Sequence, residues 1–394
     1  MPFALWALAM GAFGIGTTEF IIAGLLPVIA ADFNVSIPVA GNLATAYALG
    51  VFVGAPALII LGSKVPRKAM LVFLMLLFMA GNLVTAFAPT LGVAILGRII
   101  TSMTHGAFFG IGSVIAADMV APSKRVRAIA FMFMGLTVAN LIGVPVGTWI
   151  GQHLSWREAF MAIAVIGAIT VVSVGMLIPH QPRPENHNFA NEFNAFRNSN
   201  VLLAMGITVF GPGAFFTSIT YIAPMMTELA GYHESSLVWL MLLFGLGLFV
   251  GNQLGGKYAD RALMPMLYVT LAAQAMILVI FNFTAHSQVM SALCIFLMAA
   301  FGFATVSPIQ KLVMDKARAA GAPTLAAAVN IGLFNLGNAV GAWLGGAVIA
   351  AGFGLQSPNW AGAVLSVIAL ILAVLSGLTD KTGHAVEAHS SGKA

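Results

Sequence analysis

Two residues of opposite charge stand inside stretches otherwise built of apolar and small side chains. Glu19 lies in "MGAFGIGTTEFIIAGLLPVIA" (10–30) and Arg98 in "GRIITSMTHGAFFG" (97–110). An ionised side chain in hydrocarbon is expensive, and where one occurs it marks an ion or substrate path by default. The chemistry open to this pair is proton exchange. Burial and a neighbouring guanidinium act in opposite senses on a carboxyl's hold on its proton. A carboxyl balanced between them takes a proton from one side and gives it to the other as solvent access alternates. The arginine keeps its own charge throughout. The spacing therefore nominates Glu19 as the proton-coupling acid and Arg98 as the group that modulates it.

The elements that must hold these residues are membrane helices. The chain has 394 residues, 60% hydrophobic and 7% charged, whereas a soluble domain carries about a quarter charged residues. Twelve apolar runs are long enough to span, at roughly 4–28, 39–61, 69–88, 91–118, 127–151, 157–178, 200–227, 236–256, 263–284, 287–310, 322–350 and 359–379. Helices or closed barrels alone satisfy the backbone in lipid, and these runs are far longer than barrel strands. The expected class is an all-α integral membrane protein. The first run has no basic leader before it, which argues against a signal peptide.

Basic residues set the orientation. All but two of the 17 Lys and Arg fall in alternate loops or the tail; Arg98 and Arg157 are the exceptions. The rich loops belong on the cytoplasmic side, which puts both termini there. Glu19 and Arg98 then both lie in outward halves of their helices, about 3 Å apart in depth at 1.5 Å per residue. The net charge of +5 comes from these loops rather than from a patch for nucleic acid. The polar stretch "PHQPRPENHNFANEFNAFRNSN" (179–200) divides six spans from six. The expected organisation is a six-helix bundle over 1–179, a cytoplasmic linker over 180–199 with a short surface helix near Phe189–Phe196, a second bundle over 200–379 and a disordered cytoplasmic tail over 380–394.

The halves repeat. "LGVFVG" (49–54) returns as "LGLFVG" (246–251), "GTWIG" (147–151) as "GAWLGG" (341–346), and "MG" at 10–11 as 205–206. Three matches at nearly one offset predict two pseudo-symmetric bundles with a substrate site between them near the midplane.

Motifs add a resemblance. "GGKYADR" (255–261) resembles the loop motif between the second and third helices of each half in the major facilitator superfamily; the first half has Ser63 where that pattern has Asp. The resemblance implies a latch at Asp260 and Arg261. "GTTEF…GLLP" (16–27), "GRIITSMTHGAFFG" and "GVPVGTWIG" (143–151) resemble the first, fourth and fifth helices of the twelve-span drug:proton antiporters, and "SWREAF" (155–160) follows as it commonly does. In particular they are similar to the chloramphenicol-export and sugar (arabinose) efflux members. This likeness implies export, assistance to proton transfer by Arg98, and a monomer.

Gly143, Pro145, Gly147 and Gly151 would make the fifth helix bendable and closely packed, either as a gate between the halves or as plain small-residue packing. His105 lies two turns past Arg98 and reads either as a second titrating group or substrate contact, or as a satisfied interior histidine. Asn140, Asn330, Asn335 and Asn338 need partners if buried and line a wet cavity or cross-link helices. Tyr47, Phe215, Phe216 and Tyr221 are candidates for the cavity wall. Asp118 is expected to pair with Lys64 or Arg67.

The lone Cys294 permits no intrachain disulfide or thiolate cluster. Gly11, Gly14 and Gly16 have no following Lys-Ser/Thr and make no phosphate loop. No metal-ligand spacing or nucleophile elbow occurs. The expectation is a carrier rather than an enzyme, without cofactor and driven by the proton gradient. It would export small drug-like molecules such as chloramphenicol across the bacterial inner membrane. Sugar or nucleoside efflux is the alternative, and an uptake facilitator on the same fold a further one.

Overall fold

The computed structural model describes residues 2–179, 198–259, 261–320 and 323–391. Among them it is helical without strands, and twelve helices are long and apolar enough to cross a membrane. They are α1 (Phe3–Asp32), α2 (Ile37–Leu61), α3 (Arg67–Ala86), α4 (Leu91–Asp118), α5, α6 (Trp156–Leu177), α7 (Ser199–Ile219), α8 (Leu237–Ala259), α9 (Leu263–Thr284), α10 (Gln288–Ala304, resuming over Val306–Ala319), α11 (Pro323–Val348) and α12 (Ser357–Ser391). α5 runs over Arg125–Val138, a π-turn at Ala139–Gly143, and Val144–His153. Side-chain oxygens of Thr90, Ser155 and Ser287 cap α4, α6 and α10 by accepting early backbone N–H groups, which fixes where those spans begin.

The expected linker lies almost wholly outside the described residues. The backbone of α12 continues to Ser391, over much of the stretch read from sequence as a tail. The stretch after Asp380 holds no proline to end the helix.

Small residues set the packing of each bundle. α5 lies against α1 along a ladder spaced by four. A methyl placed on Gly135, Gly143, Gly147 or Gly151 would come within 2.0 to 2.4 Å of Ala9 O, Thr17, Ile21 and Leu25 respectively. At Gly135 the obstacle is backbone and only hydrogen fits; at the others a neighbouring side chain would have to shift. α11 repeats the arrangement on α7, where Gly337, Gly341 and Gly345 face the carbonyls of Val209, Gly213 and Thr217. The other repeat has the same cause. Gly50 and Gly54 of α2 meet Ser102 and Met103 of α4, and Gly247 and Gly251 of α8 meet the carbonyls of Phe296 and Ala300 of α10. The sequence echo is thus a packing echo, and the fold is two pseudo-symmetric six-helix bundles. Close approach of this kind is what helix association in lipid relies on, since lipid tails supply no hydrophobic drive.

We call the end where α1 begins the termini end and the other the far end. At the termini end Arg67 pairs with Asp118 at 3.0 Å, one of the two expected partners. At the far end Arg157, the outlier in the charge pattern, is fully employed. It donates to Asp32 and to the Ala88 carbonyl and stacks on Trp156 with its guanidinium 4.2 Å from the ring. This ties the ends of α1 and α3 to the start of α6.

Candidate functional site

Thr18, Glu19 and Phe20 are consecutive on α1 and face three surroundings. Thr18 turns into its own bundle. Its hydroxyl donates to Asn82 Oδ1 at 2.9 Å, and its carbonyl accepts from Arg98 Nη1 at 2.6 Å. Phe20 turns to the other bundle and meets the rings of Phe216, Phe244 and Phe303 at 5.8, 5.9 and 6.5 Å. Glu19 lies between, half-buried.

Arg98 is fully buried. Besides the Thr18 carbonyl it donates to Thr18 Oγ1 at 3.1 Å and, through Nε, to the Leu43 carbonyl at 3.4 Å. Its guanidinium lies 4.2 Å above the Tyr47 ring, a favourable cation–π placement. Nη2 has no hydrogen-bond partner. Among the described residues the ion pairs are Arg67–Asp118 and Arg157–Asp32, so Glu19 and Arg98 share a level without being bonded. The arginine is anchored by neutral oxygens and a ring, which leaves the acid free of a permanent partner.

Tyr47 joins this centre to His105. Its hydroxyl is 3.2 Å from His105 Nδ1, and the imidazole also meets the Phe109 ring at 5.3 Å. Tyr47 is the platform beneath Arg98, buried inside the first bundle, not an open cavity wall. Phe215 and Phe216 are brought together with Phe20, Phe244 and Phe303 in a ring cluster between the bundles, Phe215 stacking on Phe244 at 5.7 Å. Tyr221 departs from its expected place. It lies in the far-end contact of α2 and α11, where Gly41, Gly345 and Gly346 make room for the ring and its hydroxyl donates to the Ala342 carbonyl at 2.8 Å.

The amides divide. Asn330 cross-links, accepting from Thr208 at 2.6 Å and donating to Gln310 at 2.5 Å. Asn140 and Asn335 donate back to Leu136 and Ile331 of their own helices and leave each Oδ1 unpartnered. Asn338 is buried with neither amide atom bonded.

The expected gate residues of α5 also divide. Gly143 and Gly147 face α1, as described, so their first role is packing within one bundle. Pro145 follows the π-turn, in which Val144 N–H bonds the Ala139 carbonyl. The Asn140 carbonyl would next take the N–H of residue 145, which proline lacks. That carbonyl faces α8, where a methyl on Gly245 would lie 2.2 Å from it. Here the backbones of the two bundles are in direct contact. Towards the far end, Gln152 Nε2 donates to the Glu234 carbonyl at 2.7 Å across the same line. Gly245→Ala is expected to hold this contact open. In a Cys294→Ser background, disulfide yield between Gln152→Cys and Glu234→Cys should fall severalfold with Gly245→Ala. It should be unchanged with Gly256→Ala, whose added methyl meets nothing within 4 Å. Asp260 lies outside the described residues; Arg261 is exposed in the turn after α8.

Sequence reasoning missed Thr18, Asn82, Phe20, Phe244 and Phe303. Thr18 and Asn82 carried a signal, as polar residues inside apolar runs; the three rings carried none among 28 phenylalanines.

Comparison with known proteins follows the same architecture. A family description, the Major Facilitator Superfamily, matches residues 8–333. The chain is 44% identical over 374 residues to the inner membrane transport protein YdhP of Escherichia coli (strain K12), covering 95% of this chain and 96% of that protein. It is 32% identical over 384 residues to the chloramphenicol resistance protein of Streptomyces lividans, covering 95% and 96%. Among solved structures, a D-xylose-proton symporter has a TM-score of 0.73 at 14% identity, covering 94% of this chain and 96% of that one; this is a likeness of fold alone.

Proposed function

Because the chain belongs to the major facilitator superfamily of transporters, we propose that it is a proton-coupled antiporter exporting small, mostly uncharged molecules across the inner membrane, its termini end cytoplasmic. The observation that carries the reading is the sequence Thr18–Glu19–Phe20, which sets an unpaired carboxyl between a buried guanidinium and the rings that join the bundles.

The coupling follows from the cost of charge. An ionised carboxylate beside closely packed rings loses solvation, so ionised Glu19 opposes the closed contact of Phe20 with Phe216, Phe244 and Phe303. Protonation removes that opposition. A proton taken from the far side lets the far-end contact close, and the site then opens to the termini side. There the proton leaves and cargo enters. The restored charge favours reopening to the far side, where cargo is released. Arg98 stays charged throughout and holds the level of α1 through the Thr18 carbonyl.

The similarity to a chloramphenicol resistance protein and the aromatic and amide surroundings support phenicol-like cargo. Everted membrane vesicles given an acid interior test this. Chloramphenicol should accumulate inside them, with arabinose, a nucleoside and a cationic dye as comparisons. Accumulation of arabinose alone moves the assignment to sugar efflux. Cargo driven out of these vesicles by the same gradient makes the protein an importer.

A further inference from the structure

Towards the termini end the two bundles stay in contact along one flank and part along the other. On α5, Asn140 meets α8, and the stripe that runs from it by steps of three and four is Ala130, Phe133, Thr137, Asn140 and Val144. Asn140 and Val144 are buried, Thr137 is half-buried, and Phe133 and Ala130 are exposed, Phe133 to 39%. The facing stripe on α8 is Met241, Gly245, Phe249, Asn252 and Gly256. Met241 and Gly245 are buried, Phe249 is exposed to 40%, and Asn252 and Gly256 are exposed. The two gradients run the same way. The helices touch at Asn140 and Gly245 and diverge towards the termini end, until a methyl on Gly256 would meet nothing within 4 Å.

The opposite flank stays in contact at the same depth. A methyl on Gly332 of α11 would lie 3.3 Å from the Phe52 ring of α2, and one on Gly106 of α4 would lie 2.4 Å from Ala55 and 3.7 Å from Ile331. Gly332 is as deep in α11 as Phe133 is in α5, and Phe52 as deep in α2 as Asn252 in α8. The opening is therefore sideways, between α5 and α8.

A file of rings leads inward from it. Phe133 stacks on Phe109 at 4.9 Å and 18°, Phe109 meets His105 at 5.3 Å, His105 meets Tyr47 at 6.1 Å, and Tyr47 carries Arg98. The buried charge of the site lies at its inner end, and the mouth is lined by Ala130, Phe133, Asn252 and Gly256, with Arg127 and Lys257 beyond it at the termini end.

We propose that the gap between α5 and α8 is the portal by which cargo enters from the termini-side leaflet, and that it admits flat, uncharged, ring-bearing molecules already dissolved in lipid. Mostly apolar walls open to hydrocarbon impose little dehydration on such a molecule, whereas a hydrated polyol would have to shed water at the mouth. Phe133, the exposed outer ring of the file, gives a planar solute an offset-stacking surface at the mouth. This rests on the export reading above and narrows its cargo.

The test uses a bimane fluorophore on Phe133→Cys or Asn252→Cys, each in a Cys294→Ser background, in vesicles of the full chain. Brominated phospholipid should remove most of the emission at both sites, as at the outer-surface control Val172→Cys, while aqueous iodide removes little. Strong quenching by iodide with sparing by brominated lipid would make the gap a water-filled vestibule and overturn the portal. A second variant, Ala130→Arg, sets a guanidinium at the mouth; it should lower chloramphenicol export severalfold, and unchanged export would also count against the portal. If the parent chain exports none of the compounds tested, the functional reading fails, and the quenching result still decides the portal.

Discussion

Glu19→Gln will abolish gradient-driven export, bringing it to the level of protein-free vesicles, while leaving insertion and folding intact. Glutamine keeps the size and hydrogen-bonding capacity of the carboxylic acid but binds and releases no proton. The described structure gives Glu19 no ion pair to lose, so the substitution removes titration without stripping a partner. In the coupling argument the variant imitates the protonated state permanently. The ring cluster around Phe20 then closes readily, and nothing restores the charge that reopens it. Exchange of labelled for unlabelled cargo should fall with it, because each exchange also needs the reopening that the restored charge drives. The check is a paired measurement of efflux driven by a pH gradient and of exchange at equal pH. Export at the parent rate under the gradient removes Glu19 from the proton path.

Arg98→Lys should be nearly as damaging as Arg98→Leu, and for a reason visible in the geometry. Arg98 reaches the Thr18 carbonyl and hydroxyl through one nitrogen and the Leu43 carbonyl through another, with the guanidinium plane over Tyr47. A lysine ammonium is a point donor that cannot span those acceptors while stacking. Either substitution gives up at least one hydrogen bond from a charged donor, at about 1.5 to 3 kcal/mol each. Leucine also removes the buried positive charge at the level of Glu19. The expected result is a lower melting temperature for both variants and loss of gradient-driven export in both. A lysine variant with parent stability and parent coupling would show that charge alone, without the fork and the ring beneath it, suffices.

The site was legible in the sequence where its residues are rare. Charges inside apolar runs stand out, and Glu19 and Arg98 are found together as the depth arithmetic required. What anchors Arg98 was not legible, because two of its acceptors are backbone carbonyls that any residue supplies. Tyr47 was recognisable as an interior aromatic but not as the platform under Arg98, since that depends on how α2 crosses α4. Phe215 and Phe216 could be named, yet Phe20, Phe244 and Phe303 could not be chosen from so many rings. The twofold repeat was legible because close packing favours glycine along it, so Gly50 and Gly247 meet equivalent partners in the two halves. The same ladder explains the α5 glycines more fully than a gate does. Tyr221 was misplaced because the pocket that holds it is made by Gly41, Gly345 and Gly346 on two other helices.

The parted flank between α5 and α8 has no sequence signature, since an exposed apolar residue in a membrane helix reads the same whether it faces lipid, a gap or a partner. It emerges only from comparing stripes on facing helices, where Gly245 is filled and Gly256 is open.

Proton movement accompanying transport tests the central claim most directly. In lightly buffered vesicles of the purified chain, adding chloramphenicol on one side should move protons the opposite way to the drug, read on a pH electrode. The signal should vanish in Glu19→Gln. Drug crossing the membrane at the parent rate with no proton signal would contradict the account.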